Sequence, residues 1–307
     1  MRRNWFSRLR RGLPPVPRRA EGGGLRVPGE AWESRNAFLV VLQNEGHARL
    51  KAQWQMGVQL PVACGAEGLF GVCSLCGVRC AFGVPGQPAS FDTREGLACE
   101  RCRVNARMRH ALGLMVDGLD PTHARLYLTE QASTGFVWVQ QHFPHTVGSE
   151  FGLNESRRAR MQGSFEHLGG HGALRNEDVT ALHFEKGSLD AIGCFDVLEH
   201  VPDYRAALAE FARVLAVGGR LVLTVPFIET VQDTLVRARL NSEGNVEHLL
   251  PPEIHGDPVA GGVLCFYHFG WDLLDACRAA GFRRAEWVRC FAPEFALYGL
   301  WTLRALR

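Results

Sequence analysis

The chain has 307 residues, enough for one large or two modest domains with a real core. Hydrophobic residues make up 46% and charged residues 21%, ordinary for a globular protein, and no apolar run approaches the ~20 residues of a membrane span. The net charge of +2 is unevenly spread: residues 1–30 carry eight Arg against two Glu, which leaves the remainder about −4.

Met1 to Glu30 mixes Arg with Pro14-Pro15-Val16-Pro17 and Gly22-Gly23-Gly24. Such a stretch buries no core and is expected to be a disordered, solvated tail. Its charge also fits a weak anchor for acidic lipid or nucleic acid, but no aromatic interleaving or helical pattern supports that reading. An Arg-rich start without an apolar stretch is not expected to act as a secretory signal, and the cytoplasm is the expected compartment. In that compartment the ten Cys point to metal binding or buried thiols rather than disulfides.

Ala31 to Met56 reads as one amphipathic helix, with Phe38, Val41, Leu42, Leu50 and Trp54 on or near one side. Then comes Cys73-x-x-Cys76, twenty-two residues, and Cys99-x-x-Cys102. Two such pairs can bring four thiolates to the corners of a tetrahedron, the geometry Zn²⁺ prefers. The intervening Gly- and Pro-rich stretch has little core of its own, so a metal would stabilise it. Cys80 is a rival ligand and Cys64 a weaker one; four unrelated thiols are the bland alternative. With no open position and no acid nearby, the ribbon reads as structural rather than catalytic. Arg101, Arg103, Arg107, Arg109 and His110 follow it. Their basic face could approach phosphate or RNA, but Arg bonded to ribbon carbonyls, or a solvated helix face, is favoured.

A helix is expected at Ala111–Leu119, a first strand at Ala124–Thr129 ending on Glu130, a helix at Phe136–His142 and a second strand at His145–Gly148 ending near Glu150. Asn154 to Gly172 reads as polar and irregular, and Asn176–Thr180 as a third short strand or loop. Ala191–Phe195 is a buried strand, followed by the polar cluster Asp196, Glu199 and His200. A helix at Tyr204–Leu215, a Gly218-Gly219 break and a strand at Leu221–Val225 complete a βαβ unit. In open parallel sheets ligands bind outside the carboxyl ends of the strands, which places Asp196 to His200 where chemistry would happen. The long polar stretch from Phe227 to Phe266, with Glu247 to Pro258 at its centre, is expected to lie over that edge as an acceptor lid. A helix at Asp272–Ala280 and alternating strands at Arg284–Cys290 and Leu297–Ala305 close the chain.

The order Glu130, Glu150, Asp178, then Asp190-Ala-Ile-Gly-Cys-Phe-Asp-Val-Leu-Glu-His-Val and Glu210-Phe-Ala-Arg-Val-Leu-Ala-Val-Gly-Gly-Arg-Leu-Val-Leu-Thr-Val-Pro, resembles the class I S-adenosylmethionine-dependent methyltransferases with a Leu-Glu-His-Val turn after the fourth strand. The resemblance covers roughly residues 110–307 and is most specific in 178–226. The preceding cysteine pairs are similar to an N-terminal zinc module found in some bacterial members. It implies a Rossmann-like α/β fold: a doubly wound, mostly parallel seven-stranded sheet with a closing antiparallel hairpin, preceded by a small zinc ribbon. The implied organisation is a tail at 1–30, a helix and ribbon at 31–110, and the methyltransferase domain at 111–307.

The resemblance also implies roles. Glu130 and Gly135 would lie at the amino-acid end of S-adenosylmethionine, with loop amides facing its carboxylate. Glu150 would accept from the ribose hydroxyls, Asp178 with Val179 would meet the adenine, and Phe195 and Asp196 would flank the methionine side. One loop departs from the family: Glu130-Gln131-Ala132-Ser133-Thr134-Gly135 has a single glycine where several are usual. That is either a reshaped loop that still binds or a pocket that does not; the acids favour binding.

Asp196-x-x-Glu199-His200 resembles a divalent-metal site of certain O-methyltransferases, which His248, His255 or His268 could complete. Metal-free capping or pocket lining is the commoner use of such a turn. His200, Glu199 and His255 are the catalytic candidates, with Cys73, Cys76, Cys99 and Cys102 as zinc ligands. The activity expected is methyl transfer, leaning to a small-molecule or sugar hydroxyl, with RNA kept among the acceptors. A non-catalytic partner- or RNA-binding module on a degenerate methyltransferase fold is the alternative.

Overall fold

The computed structural model describes residues 27–44, 46–64, 69–83, 92–256 and 262–307. Most of the expected tail, residues 84–91 between the cysteine pairs and residues 257–261 of the expected lid lie outside the described residues. Along the chain run β1 (Glu30–Trp32), α1 (Arg35–Gln43), α2 (Gly46–Cys64), β2 (Leu69–Val72), β3 (Arg79–Phe82), α3 (Ala106–Val116), β4 (Leu126–Leu128), α4 (Thr134–His142), β5 (Thr146–Gly148), α5 (Glu155–His167), β6 (Leu189–Phe195), α6 (Tyr204–Val214) and β7 (Leu215–Thr224). Short strands follow, β8 (Leu235–Val236), β9 (Ala238–Leu240), β10 (Val246–His248), β11 (Ile254–His255), β12 (Val263–Leu264) and β13 (Tyr267–His268), then α7 (Asp272–Ala279), β14 (Arg284–Ala292) and β15 (Leu297–Leu306).

The main sheet has seven strands in the order β1-β14-β15-β7-β6-β4-β5. The β5-β4-β6-β7 half is parallel, while β15, β14 and β1 run antiparallel to their neighbours. This is the expected Rossmann-like α/β architecture with its closing hairpin. Successive side chains on a strand point to opposite faces, and the two faces carry separate cores. Leu126, Leu128 and Val222 join α3, α4 and α5 on one face. Tyr127, Ile192, Leu221 and Leu223 join α1, α6 and α7 on the other. The inner parallel stretches Leu126–Leu128, Ala191–Phe195 and Leu221–Thr224 are buried on both faces, and so most of them read as short apolar runs.

Ribbon residues Leu69, Val72, Leu75, Phe82 and Leu97 belong to the same core as Met108 and Leu112 of α3 and Leu297 of β15. The ribbon is therefore built into the wall of the fold. Arg109 is the joint. It is fully buried, stands over the Phe82 ring at 4.3 Å, and donates to the carbonyls of Leu97, Phe295 and Ala296. His110, also buried, bonds Thr302 Oγ1 through Nδ1. These two members of the basic run serve packing.

Several expectations need correction. The expected tail ends early, because Glu30 opens β1 and its carboxylate pairs with Arg49. The single helix at 31–56 is a strand and two helices: Ser34 caps α1 by accepting from Ala37 N, and the helix stops at Asn44. Asn154 to Gly172 is not irregular; Asn154 caps α5 by accepting from Arg157 N, and Met161 and Phe165, four residues apart, anchor its one buried edge. The third strand is reduced to a single parallel bridge between Glu150 and Asn176. The seventh place in the sheet is taken by β1 instead. Gly218 and Gly219 lie within β7 rather than before it, and the 227–266 stretch contains short antiparallel pairs.

Candidate active site

The carboxyl ends of β4, β6 and β7 open on a cavity of about 920 Å³. Glu130, Phe195, Asp196, Glu199, His200 and His255 line it, together with Arg94 and Arg107 from the ribbon side and Trp301 from the hairpin. The expected catalytic trio is thus gathered at one place, as are three of the expected cofactor residues.

Asp196 ends β6 with φ +52°, a left-handed conformation that Asp tolerates better than most side chains. Its amide donates to Thr224 O at 2.7 Å, and its carboxylate accepts from Thr224 Oγ1 at 2.9 Å. Arg94 Nη2 lies 2.6 and 2.7 Å from the two carboxylate oxygens, and Arg107 Nε lies 3.3 Å from one. Burial opposes ionisation here, but Arg107 and then Arg94 outweigh it and hold the Asp196 carboxyl below the usual range.

Glu130 is its counterpart. Burial pushes its carboxyl up to about 8; Arg107 offsets part of this, while Asp196 and Glu150 add to it. Oε1 is buried without a hydrogen-bond partner. An unsatisfied buried carboxyl oxygen at a cavity wall suits a cationic group brought by a ligand. The amino-acid end of S-adenosylmethionine carries such a group, so the residues fit at that end.

The nucleoside side is arranged differently. Glu150 stands at the end of β5, but its Oε1 accepts from the amides of Gln131 at 2.9 Å and Ala132 at 2.7 Å. Those loop amides were expected to face the cofactor's carboxylate; here they face Glu150. The Gln131 side chain, buried, bonds Ala173 O and the Arg175 amide. The side chain thus ties the loop to the 173–175 segment. Gly135 is not in the turn but in the first turn of α4. There a Cβ would come within 2.3 Å of Met108 Cε, so its small size serves helix packing. Asp178 is exposed, and its Oδ1 is taken up by Thr180 N at 2.8 Å and Thr180 Oγ1 at 2.7 Å. Val179 is buried in the core against α6. Glu150, Asp178 and Val179 stand near the expected strand ends, yet none lines this cavity.

Glu199 lies on a 3-10 turn, Leu198–His200, and is 1% exposed. His200 Nδ1 donates to Leu264 O at 2.8 Å, so its Nε2 carries the lone pair when the ring is neutral. His255 Nδ1 lies 3.6 Å from Glu199 Oε1, and its Nε2 bonds Glu253 Oε1 at 3.1 Å. The Glu199 carboxylate, with Glu253 adding and burial opposing, raises the His255 imidazole to about 9. Of the other candidate histidines, His248 is exposed on β10, and His268 bonds Glu253 Oε1 at 2.9 Å.

In the ribbon, Cys73, Cys76, Cys99 and Cys102 converge so that their Sγ atoms lie within 4.8 Å of one another. Cys73–Cys102 and Cys76–Cys99 are 3.7 and 3.8 Å apart. That is the edge of a tetrahedron around an ion with bonds of about 2.3 Å. Each pair turns on a left-handed residue, Gly77 (φ +67°) or Arg103 (φ +61°), and the amides of Arg101 and Cys102 point at Cys99 Sγ. Cys80, the rival, lies 3.5 Å from Cys99 but outside this set. The side chain of Cys64 lies outside the described residues.

Sequence reasoning missed Arg94 and Glu95 altogether and read Arg107 only as part of a basic face. Nothing in their spacing marks them; the fold of the ribbon brings them to the cavity.

No described helix is long and apolar enough to cross a membrane. A search of curated proteins by sequence gives no match. Residues 131–223 match the family described as "Methyltransferase domain". Among solved structures, an S-adenosylmethionine-dependent methyltransferase from Mesorhizobium loti superposes with a TM-score of 0.42 at 17% identity, over 66% of this chain and 98% of that one. Another from Thermotoga maritima gives 0.39 at 16% identity, over 66% and 87%. The YcgJ protein from Bacillus subtilis gives 0.31 at 24% identity, over 38% and 51%. Scores this low leave the reading to the family match and to the geometry. The matched segment runs from the loop after Glu130 through β6 and most of β7, past the strand ends that bear Glu150 and Asp196, and this stretch is similar to a methyltransferase domain.

Proposed function

We propose that the chain transfers a methyl group from S-adenosylmethionine to a hydroxyl of a small molecule or sugar bound in the 920 Å³ cavity. One observation carries the proposal: the buried, unpartnered Glu130 oxygen at the carboxyl end of the first parallel strand. Bound there, S-adenosylmethionine supplies an electrophilic methyl on a positively charged sulfur. Glu130 pairs with its amino group, and Asp196, pinned by Arg94 and Arg107, shapes the neighbouring wall. The Glu199–His200–His255 group faces the acceptor. His200 Nε2, left with the lone pair by the Nδ1 bond to Leu264 O, would take the proton of the acceptor hydroxyl. Since the methyl donor needs little activation, most of the work is alignment and exclusion of water. Cys73, Cys76, Cys99 and Cys102 hold a structural Zn²⁺ in this reading, with no position left open for chemistry.

Calorimetry with S-adenosylmethionine tests it. The expected result is micromolar binding that weakens at least tenfold in Glu130→Ala. A second reading, a non-catalytic module that binds a partner or RNA, draws on the Gln131 side chain and on loop amides already satisfied by Glu150. No binding heat at any concentration, with the protein folded and zinc-loaded, would select it.

A further inference from the structure

Ile254, His255 and Gly256 give the cavity part of one wall, yet the segment that carries them has little core of its own. Strands β8, β11, β12 and β13 are two residues each, and Leu235, Val236, Leu249 and Ile254 stay exposed. Strand pairs this short are marginal in water unless something else holds them.

Four side chains of that segment converge. Glu253, His255, Cys265 and His268 each place one ligand atom within 4.8 Å of the other three. Glu253-x-His255 leads through β11 and Cys265-x-x-His268 ends in β13. The pairing of β11 with β12 and a bond from Cys265 N to Glu253 O at 2.9 Å bring the two halves together. Two imidazoles then aim at one atom: His255 Nε2 lies 3.1 Å and His268 Nε2 2.9 Å from Glu253 Oε1. Bonds of about 2.0–2.1 Å to a tetrahedral ion give ligand edges of about 3.3 Å, so shifts of a few tenths of an ångström admit one.

The outer contacts suit ligation. Arg237 holds Glu253 Oε2 at 3.1 Å, which leaves Oε1 to the cluster. With Nε2 on the ion, His255 keeps its proton on Nδ1, the nitrogen that lies 3.6 Å from Glu199 Oε1. That carboxylate is buried, with neither oxygen in a hydrogen bond, and metal-bound histidines turn their other nitrogen to a group of this kind. Cys265 is fully buried and gives up the proton that it now donates to Tyr267 O at 3.3 Å. One carboxylate and one thiolate balance a dication. One sulfur, two imidazole nitrogens and one carboxylate oxygen at tetrahedral reach are a donor set for Zn²⁺.

We infer that Glu253, His255, Cys265 and His268 bind a Zn²⁺ ion separate from the cysteine site, which staples β11, β12 and β13 into the cavity wall. All four positions of the ion are filled by protein, so it has a structural role and takes no part in chemistry. Neither Asp196 nor His200 belongs to the site.

Metal analysis of full-length protein saturated with Zn²⁺ and then dialysed tests the site. Glu253→Gln, Cys265→Ala and His268→Ala should each carry one ion fewer than wild type, while His200→Ala and Cys277→Ala keep the wild-type number. Glu253→Gln keeps the size and shape of its part-exposed side chain, so its result does not hang on a repacked core. Co²⁺ bound at the site should show a thiolate charge-transfer band that disappears in Cys265→Ala, with affinity at least tenfold weaker in all three variants. Equal zinc in wild type and the three variants would leave a hydrogen-bonded cluster only and overturn the assignment. So would an ion that is lost in His200→Ala but kept in Glu253→Gln, or a Co²⁺ spectrum that Cys265→Ala leaves unchanged. S-adenosylmethionine is absent from every arm, so failure here is distinct from failure of the methyltransferase reading.

Discussion

Arg94, on the loop between the two cysteine pairs, grips the carboxylate of Asp196, 102 residues away, through one terminal nitrogen at 2.6 and 2.7 Å. Asp196 is also one of three non-glycine residues with positive φ among the described residues. A residue held in that region persists when its surroundings over-determine it. The ribbon therefore supplies part of the clamp on the site.

Arg94→Ala should lower methyl-transfer turnover at least tenfold while moving the melting temperature by less than about 2 °C. The Arg94 side chain is 38% exposed, and without it the part-buried Asp196 carboxylate keeps Arg107 and Thr224 Oγ1 as partners. Steady-state kinetics beside a thermal melt separates the two effects; a large loss of stability with unchanged turnover would remove Arg94 from the site.

If Cys73, Cys76, Cys99 and Cys102 hold Zn²⁺ as proposed, its loss should be felt through one face of the fold. Leu75, Phe82 and Leu97 share a core with Met108 and Leu112. Cys76→Ser should therefore lower zinc content by more than about half an ion per chain and drop the melting temperature by about 10 °C or more, with metal binding counting as folding energy. Mass-spectrometric metal analysis and calorimetric melting check both quantities.

Glu130 should make the free protein less stable as pH rises. In the folded state its carboxyl keeps its proton up to about pH 8, whereas unfolded it loses it near 4.5. Between those values the unfolded chain binds fewer protons, so stability falls with pH, by up to ~1.4 kcal/mol per unit. Outside that window Glu130 adds no slope. Glu130→Gln should flatten this part of the stability profile, stabilise the protein at pH 8, and weaken S-adenosylmethionine. Denaturant melts across pH 4–9 would show an unchanged slope in the variant if the buried carboxyl were not responsible.

Gly135→Ala should change stability by less than about 1 kcal/mol, because the new Cβ meets only the mobile end of the Met108 side chain, Cε at 2.3 Å, and Ala is the better helix former. Cofactor affinity should stay within threefold in the variant, since Gly135 packs α4 against α3 and does not line the cavity. A tenfold affinity loss in Gly135→Ala would place it in the cofactor loop after all.

The βαβ unit around Asp196 was legible in the sequence because parallel strands buried on both faces leave short apolar runs with polar residues at their ends. The four cysteines were legible because ligand spacing is local. The Leu-Glu-His turn and distant His255 were marked as candidates, and one cavity holds them. Helix α5 was hidden: only Met161 and Phe165 are buried along it, and two anchors in thirteen residues do not make a visible period. The third strand was over-read, since Asn176 makes one bridge and its neighbours cap turns.

By itself the sequence determined the architecture of the parallel sheet, the thiol set and the polar strand end, for these depend on periodicity and on residues close along the chain. Only the tertiary structure decided that Arg94 and Arg107 reach Asp196, that Gln131 ties its loop to Ala173 and Arg175, and that Glu199 is buried beside two imidazoles without a hydrogen bond. Those facts depend on which long side chains cross between elements, and on how burial sets the cost of a charge, neither of which has a period to read.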